Sequence, residues 1–292
     1  RASLLLASCY NRAMKISVII PTYNRADILL KTLEGLAIQT MPVNQFEVIV
    51  VNDGSTDETQ QLLERFEDSD ANGPKRLHLK VRHQENTGQG IARNNGLKMA
   101  KAPIVLFLGD DMIPHENLLQ EHWRAHEKFS KKRDVVLGLI EWHPDIEVNE
   151  CMEWMANGSS ILGRFGGHQF AYEKLLNGQH PDFNFFYTSN LSLKRSFLRE
   201  MGENPFDASF GQYGWEDIEL GYRLQKEKGM VMHFSPFAIT YHHHAMDEAN
   251  LRNRMEKIGQ SAYLLERKHP ELRKIPHGFK KAAFEVLSNE LM

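Results

Sequence analysis

Ile104-Val105-Leu106-Phe107-Leu108-Gly109-Asp110-Asp111 sets five apolar residues against a glycine and two adjacent carboxylates. A short apolar run, β-branched and aromatic, bounded by a turn signal reads as a buried strand. The two carboxylates therefore mark a strand end.

Working upstream, Lys15-Ile16-Ser17-Val18-Ile19-Ile20-Pro21 has the same character and is stopped by proline. Phe46-Glu47-Val48-Ile49-Val50-Val51 is another buried run, ending in the turn sequence Asn52-Asp53-Gly54. Leu77 to Val81 alternates as a third strand. Between the strands, residues 27–38 carry Leu29, Leu33, Leu36 and Ala37 at helical spacing. Ser55 with Glu58 three residues on fits a capping box, predicting a helix from Ser55 to about Phe66. The glycine-bearing loop Asn86 to Gly90 leads into a helix over 91–100. Strands alternating with helices predict an α/β fold, a mostly parallel sheet with helices on both faces. Ligands of such sheets sit beyond the carboxyl ends of the strands. Pro21-Thr22-Tyr23-Asn24, Asn52-Asp53-Gly54 and Asp110-Asp111 all fall on that edge.

Downstream, Val135 to Trp142 reads as a strand, followed by an aromatic-rich stretch to about Tyr187. Glu216 to Lys228 reads as a helix closed by Gly229. Met230 to Tyr241 reads as extended, broken at Pro236, and runs into His242-His243-His244. Residues 247–292 read as amphipathic helix, with Leu251, Met255, Ile258 and Leu264-Leu265 on one side.

The 292 residues are 41% hydrophobic and 25% charged, an ordinary globular balance, with net charge −3. That charge speaks against nucleic acid as a partner. Cys9 and Cys151 are the two cysteines, so a disulfide framework is not expected and a reducing compartment is. No apolar run reaches the roughly 18 residues that span a bilayer. Leu4-Leu5-Leu6-Ala7-Ser8-Cys9 looks a little like the end of a lipoprotein signal but is too short for its apolar core. Residues 1–13 are expected to be an upstream extension or an expression remnant.

Taken singly, the polar groups leave two readings open. Asp110 and Asp111 suit magnesium or manganese holding a diphosphate, or a simple turn before Pro114. Of the histidines, alternation sends His242 and His244 to one face and His243 to the other, as ligands or as a solvated cluster. Glu216 and Asp217 open a helix, where carboxylates gain from the dipole, or one of them acts as a general base. Trp215 and Tyr213 are placed to stack on a sugar ring. Arg93 with Gly88 and Gly90 offers a phosphate cradle, or a surface cation beside a turn.

In order, the chain holds Val18-Ile19-Ile20-Pro21-Thr22-Tyr23-Asn24-Arg25, Val50-Val51-Asn52-Asp53-Gly54-Ser55-Thr56-Asp57, Asn86-Thr87-Gly88 with Ala92-Arg93-Asn94, and Phe107-Leu108-Gly109-Asp110-Asp111. Thr188-Ser189-Asn190-Leu191-Ser192, Gly214-Trp215-Glu216-Asp217 continuing to Leu224, and Tyr241-His242 follow. Over about 15–245 this resembles a family 2 glycosyltransferase. The resemblance implies the A-type fold, a Rossmann-like nucleotide-binding half (15–112) and an acceptor-binding, catalytic half (113–245) around one mostly parallel central sheet. It implies that Pro21, Thr22, Tyr23 and Asn24 line the base pocket, that Asp53 binds the base, and that Arg93 holds the nucleotide or diphosphate. Asp111 matches the principal metal ligand, with Asp110 near the ribose or the metal shell. Asn190 and Ser192 match a segment near the transferred sugar. Asp217 matches the inverting base, with Glu216 on a sugar. His242 matches a metal or diphosphate ligand, with His244 as the reserve. The first aspartate of the family's Asp-x-Asp is Gly109 here, which puts the ribose contact in doubt.

The implied activity is inverting transfer of a sugar from a UDP-sugar to an acceptor hydroxyl, using Mn2+ or Mg2+, in polysaccharide or glycoconjugate assembly. The acceptor is expected to be a carbohydrate or glycolipid, handled in the cytoplasm or peripherally on the inner face of the membrane. The acceptor region is placed at about 142–187, with Trp142, His143, Trp154, Phe165, His168 and Tyr172. The tail 246–292 is expected to pack on the core, form a homodimer or touch the bilayer. A sugar-phosphate nucleotidyltransferase is the competing enzyme class, and Pro21-Thr22-Tyr23-Asn24 is not its glycine-rich loop. A sugar-nucleotide-binding module without transfer is the other alternative, against which Asp111 and Asp217 both argue.

Overall fold

In the computed structural model, which describes residues 13–69, 77–157, 172–211 and 214–275, the apolar runs become the centre of one sheet. β1 (Ile16–Thr22), β2 (Phe46–Asp53) and β4 (Ile104–Leu108) are buried along their whole length. β3 (Leu79–Gln84) is half exposed, as Lys80, Arg82 and His83 on an edge strand require. β5 (Met112–Pro114), β6 (Asp134–Trp142), β7 (Asn190–Lys194) and β8 (Val231–His242) complete the order β3-β2-β1-β4-β7-β6-β8-β5.

The sheet is mixed, with its parallel pairings in the majority. β3, β2, β1 and β4 run parallel, and so do β6 and β8. β7 lies antiparallel between β4 and β6, and β5 antiparallel on β8. β7 carries polar Asn190 and Ser192, and both are fully buried. β5 begins at Met112, so the expected boundary at 112–113 falls inside a strand of the common sheet.

α1 (Ala26–Ala37), α2 (Thr59–Ser69), α3 (Gln89–Met99), α4 (Leu118–Lys128) and α5 (Glu150–Asn157) follow their strands. Two one-turn helices, α6 (Glu173–Leu176) and α7 (Arg195–Leu198), precede α8 (Glu216–Lys228) and α9 (Glu248–Lys268). The capping box expected at Ser55 does not form. α2 starts at Thr59, whose N–H donates to Asp57 Oδ1 at 3.1 Å, while Ser55 Oγ accepts from Asn24 N–H at 2.9 Å. The pull of the neighbouring loop outweighs the local capping preference.

β8 is one continuous strand through Pro236. Gly138 pairs with Ser235 and Leu139 with Ile239, so residues 236–238 bulge from the ladder. The tail packs on the core: Trp215 Nε1 donates to Ile258 O at 3.0 Å, and Lys268 pairs with Asp207 at 2.6 Å. No described helix is long and apolar enough to cross a membrane. Residues 1–12, with Cys9, lie outside the described residues, as do Phe165, His168, Tyr213, 276–292 and the side chains of Cys151 and Trp154.

Candidate active site

Gly109, Asp110 and Asp111 leave β4 in a tight turn, with Met112 N–H donating to Gly109 O at 3.3 Å. The turn expected before Pro114 is therefore formed. Thr22 Oγ1 at the end of β1 donates to Asp110 Oδ2 at 2.8 Å, and Thr32 Oγ1 of α1 donates to the Asp110 carbonyl at 2.8 Å. β5 pairs with β8 so that Met112 lies opposite His242. That register brings His242 Nε2 to 3.3 Å from Asp111 Oδ2. Arg25 Nη1 stands 3.4 Å from Asp110 Oδ1 and pairs with Asp111 Oδ2.

These neighbours split the two carboxyls. Burial opposes ionisation of Asp111, but His242 and Arg25 outweigh it and hold that carboxyl well below the usual range. Burial and the Asp111 charge push Asp110 up, Arg25 and Thr22 offsetting only part.

The β2 end is organised differently. Asp53 Oδ1 accepts from Gln84 Nε2 at 2.7 Å and from Thr87 N–H at 2.9 Å, and Oδ2 accepts from Gly88 N–H at 2.8 Å. Its carboxylate therefore clamps the glycine loop. Gly88 sits at φ +92°, and a Cβ there would lie 2.7 Å from Gly211 O. Only glycine meets both demands.

α8 supplies the third cluster. Trp215 precedes it at φ +67°, and Asp217 Oδ1 accepts from Ile218 N–H at 2.7 Å. The buried Glu216 accepts from Arg93 Nη1 at 2.8 Å. Residues 188–189 join this cluster to the first: Gly109 N–H donates to Ser189 O at 3.2 Å, and Thr188 N–H reaches Asp217 Oδ2 at 3.5 Å. Burial and the Glu216 charge push the Asp217 carboxyl up to about 7, with Arg93 opposing.

Several expected roles change on this geometry. Asn190 and Ser192 make none of their hydrogen bonds to these clusters. Asn190 donates through Nδ2 to Leu139 O (3.0 Å) and Ala238 O (2.9 Å) and meets His122 Nε2 through Oδ1 at 2.8 Å. Ser192 Oγ lies between His122 Nδ1 (2.8 Å) and His126 Nε2 (2.9 Å). Strand alternation turns both side chains onto α4, where His122 and His126 meet them. Arg93 is engaged by Glu216 and by Gln89 Oε1 at 3.2 Å rather than aimed at a phosphate. The Trp215 indole N–H is held by α9. Tyr172 is core, stacked on Phe234 at 5.7 Å. Pro21 is buried, while Tyr23 and Asn24 are exposed beside the Ser55–Thr56 loop, where Asn24 Oδ1 accepts from Thr56 N–H at 2.7 Å.

The donor set fits a divalent cation. A carboxylate oxygen of Asp111 and an imidazole nitrogen of His242 face one another, Asp110 is adjacent, and Arg25 already places positive charge on both carboxylates. His242 and His244 share a side, their ring centroids 6.0 Å apart. Sequence reasoning left Arg25, Thr32 and Thr188 without roles. Arg25 was in view, directly after Asn24, but nothing in the motif says that it turns onto Asp110 and Asp111. A cleft of about 680 Å³ opens elsewhere, lined by Asn94, Asn204, Asp207, Glu219 and Arg223 among others, and none of Asp53, Asp110, Asp111 or Asp217 lines it.

Comparison with known proteins bears on this arrangement. A family model described as Glycosyl transferase family 2 matches residues 17–202. A validoxylamine A glucosyltransferase of Streptomyces hygroscopicus subsp. jinggangensis is 33% identical over 274 residues, covering 88% of this chain and 61% of its own. A chondroitin synthase of Escherichia coli is 28% identical over 277 residues, covering 87% of this chain and 38% of its own. The chain thus spans about three-fifths or less of the length of these relatives. Among solved structures, S. aureus TarS 1-349 in complex with UDP-GlcNAc aligns with TM-score 0.56 and 23% identity, over 80% of this chain and 60% of that one. The mannosyltransferase PcManGT from Pyrobaculum calidifontis, in complex with GDP-Man and Mn2+, aligns with TM-score 0.59 and 19% identity, over 92% and 68%. At these identities the structures establish a shared fold.

Proposed function

The chain belongs to glycosyl transferase family 2, and from that premise we propose that it transfers a sugar from a UDP-sugar to an acceptor hydroxyl with inversion at the anomeric carbon. The observation that carries this reading is the bridge at 188–189. It holds an acidic, histidine-bearing strand edge and a carboxyl poised near neutrality, Asp217, on two consecutive backbone residues. A nucleotide-sugar donor is supported by the ligands of the two solved relatives, UDP-GlcNAc and GDP-Man with Mn2+. A saccharide acceptor is supported by the glucosyltransferase and synthase relatives.

Pro21, Tyr23 and Asn24 form the nucleotide wall, and Asp53 fixes the loop that faces it. Asp111 and His242 would hold a divalent cation, with Asp110 and His244 beside them, and such a cation would supply positive charge to a diphosphate leaving group. Asp217 takes the proton from the acceptor hydroxyl as its oxygen attacks the anomeric carbon. The bond from that carbon to the diphosphate oxygen breaks, and UDP leaves with the electron pair. A base works best with a pKa near the operating pH, which the value of about 7 at Asp217 provides. Glu216 keeps that value high, and Arg93 holds Glu216 in place.

The test is a screen of UDP-, GDP- and dTDP-sugars with Mn2+ by thermal shift, followed by NMR of the anomeric centre in the product. Stabilisation by UDP-sugars and an inverted product are expected. Preference for GDP-sugars overturns the donor, and a retained configuration overturns the mechanism.

A further inference from the structure

β6 and β8 run parallel to the same sheet edge, and each releases a histidine just beyond its end. Trp142 pairs with His242, and His143 N–H then donates to His242 O at 3.1 Å, so His143 and His243 leave adjoining strands side by side. Their ring centroids are 4.7 Å apart. While His242 turns to Asp111, His243 turns to the other side, and the reaction described above uses neither His143 nor His243.

Asp145 joins them by a tight turn, its N–H donating to His143 Nδ1 at 3.2 Å and its Oδ2 standing 3.7 Å from the same nitrogen. One ligand atom from each of His143, Asp145 and His243 lies within 4.8 Å of the others, the one such trio among the described residues. Ligands about 2.1 Å from a common ion in a tetrahedron lie about 3.4 Å apart, so the 3.7 Å separation needs only a small adjustment. The neighbourhood already attracts a cation: Lys31 Nζ of α1 stands 3.0 Å from His243 Nε2. An ammonium has only donors to offer, so Nε2 is the accepting atom of that contact.

We propose that His143, Asp145 and His243 form a second cation site, distinct from the Asp111–His242 site, that takes a borderline transition metal such as Zn2+ and displaces Lys31 from His243. Two imidazoles and one carboxylate suit Zn2+, whereas magnesium and manganese prefer oxygen. An ion there ties the end of β6 to the end of β8, the strand that delivers His242. The site is therefore a staple behind the catalytic edge rather than part of the reaction. Lys31 gives it a built-in competitor, which sets its affinity.

Calorimetry of Zn2+ binding to the full chain in saturating Mg2+ tests this, with circular dichroism on each variant as a folding check. Wild type is expected to bind one equivalent. His143→Asn and His243→Asn should each weaken it at least tenfold, while Asp111→Asn keeps it. Lys31→Met, a change at an exposed position, should tighten it severalfold. Absence of Zn2+ binding in wild type overturns the proposal, as does binding that survives both histidine substitutions. Binding lost in Asp111→Asn but kept in His243→Asn assigns the ion to the catalytic edge instead and equally overturns it.

Discussion

Arg93 of α3 and Glu216 of α8, 123 residues apart in the chain, form a buried ion pair at 2.8 Å, each almost inaccessible to water. The pair locks the glycine loop and its helix to the start of α8. Among the described residues, Arg93 Nε and Glu216 Oε2 have no hydrogen-bond partner of their own, so the pair holds its two charges with few helpers. Breaking one half leaves the other charge buried and alone, which costs about 3–5 kcal/mol. Glu216→Gln should therefore lower the denaturation midpoint and also lower the Asp217 pKa, since the Glu216 charge raises it. The pH–rate profile of the folded fraction checks the second effect. An unmoved acidic limb means that Glu216 does not set the base.

Asp217→Asn should cut turnover by about 10² to 10⁴ while UDP affinity stays near wild type. In the wild type, kcat should rise with pH through about 7 as the carboxyl ionises. Stability should move the other way. A folded-state pKa raised from 3.8 to about 7 means that the native protein holds a proton the unfolded chain has released. Stability from this group is complete below about 3.8 and declines as pH climbs through 7. Asp217→Asn should thus be more stable than wild type at pH 8, by thermal melting. A less stable variant with normal turnover would make Asp217 a helix-capping residue only.

Metal removal should abolish turnover, and Asp111→Asn should do the same by losing the principal ligand. His242→Ala should weaken Mn2+ binding more than His244→Ala, because His242 alone of the two contacts Asp111 in the structure. Arg25→Ala should tighten Mn2+ binding in the absence of UDP, by removing a competing cation from Asp110 and Asp111. Titration of Mn2+ followed by electron paramagnetic resonance reads all three. Full turnover in excess chelator would remove the metal from the mechanism.

His122 and His126 are buried and neutral. Burial pulls His122 down to about 4, its Asn190 bond opposing, and burial with the Lys194 charge pulls His126 down to about 2. Their contribution to stability is present above the unfolded value near 6.5 and lost as pH falls toward 4. His126→Phe should flatten the acid side of the stability profile, measured as urea midpoint against pH. An unchanged slope below pH 6 would place the acid sensitivity elsewhere.

The half of the fold before Met112 was legible because β1, β2 and β4 are largely apolar and fully buried and because Asn52-Asp53-Gly54 and Gly109 mark the ends of β2 and β4. β7 was not, because its alternation of Asn190, Leu191 and Ser192 resembles a polar site motif until His122 and His126 supply the partners. No local pattern announces such a buried polar network, since its members come from different elements. The proposed roles of Asp110, Asp111, His242 and Asp217 rest on position at strand and helix ends, which the sequence does show. What could not be read was which polar atoms are already satisfied. That question decided Asn190, Ser192 and Arg93, and it turned Asp53 into the clamp of a loop.

The bulge at 236–238 has a consequence of parity. Side chains on a strand alternate, so an odd number of extra residues reverses which face every later residue of β8 presents. Three are inserted, and the reversal delivers His242 to Asp111 and His243 to His143. Losing one residue there leaves the chain two outcomes. It can shrink the bulge and keep the ladder beyond it, or slide the strand by one position and exchange the two histidines. The second would hand each imidazole to the other's partners without altering either residue, so the phase of one strand governs how the His242–His243 pair is shared between two neighbourhoods.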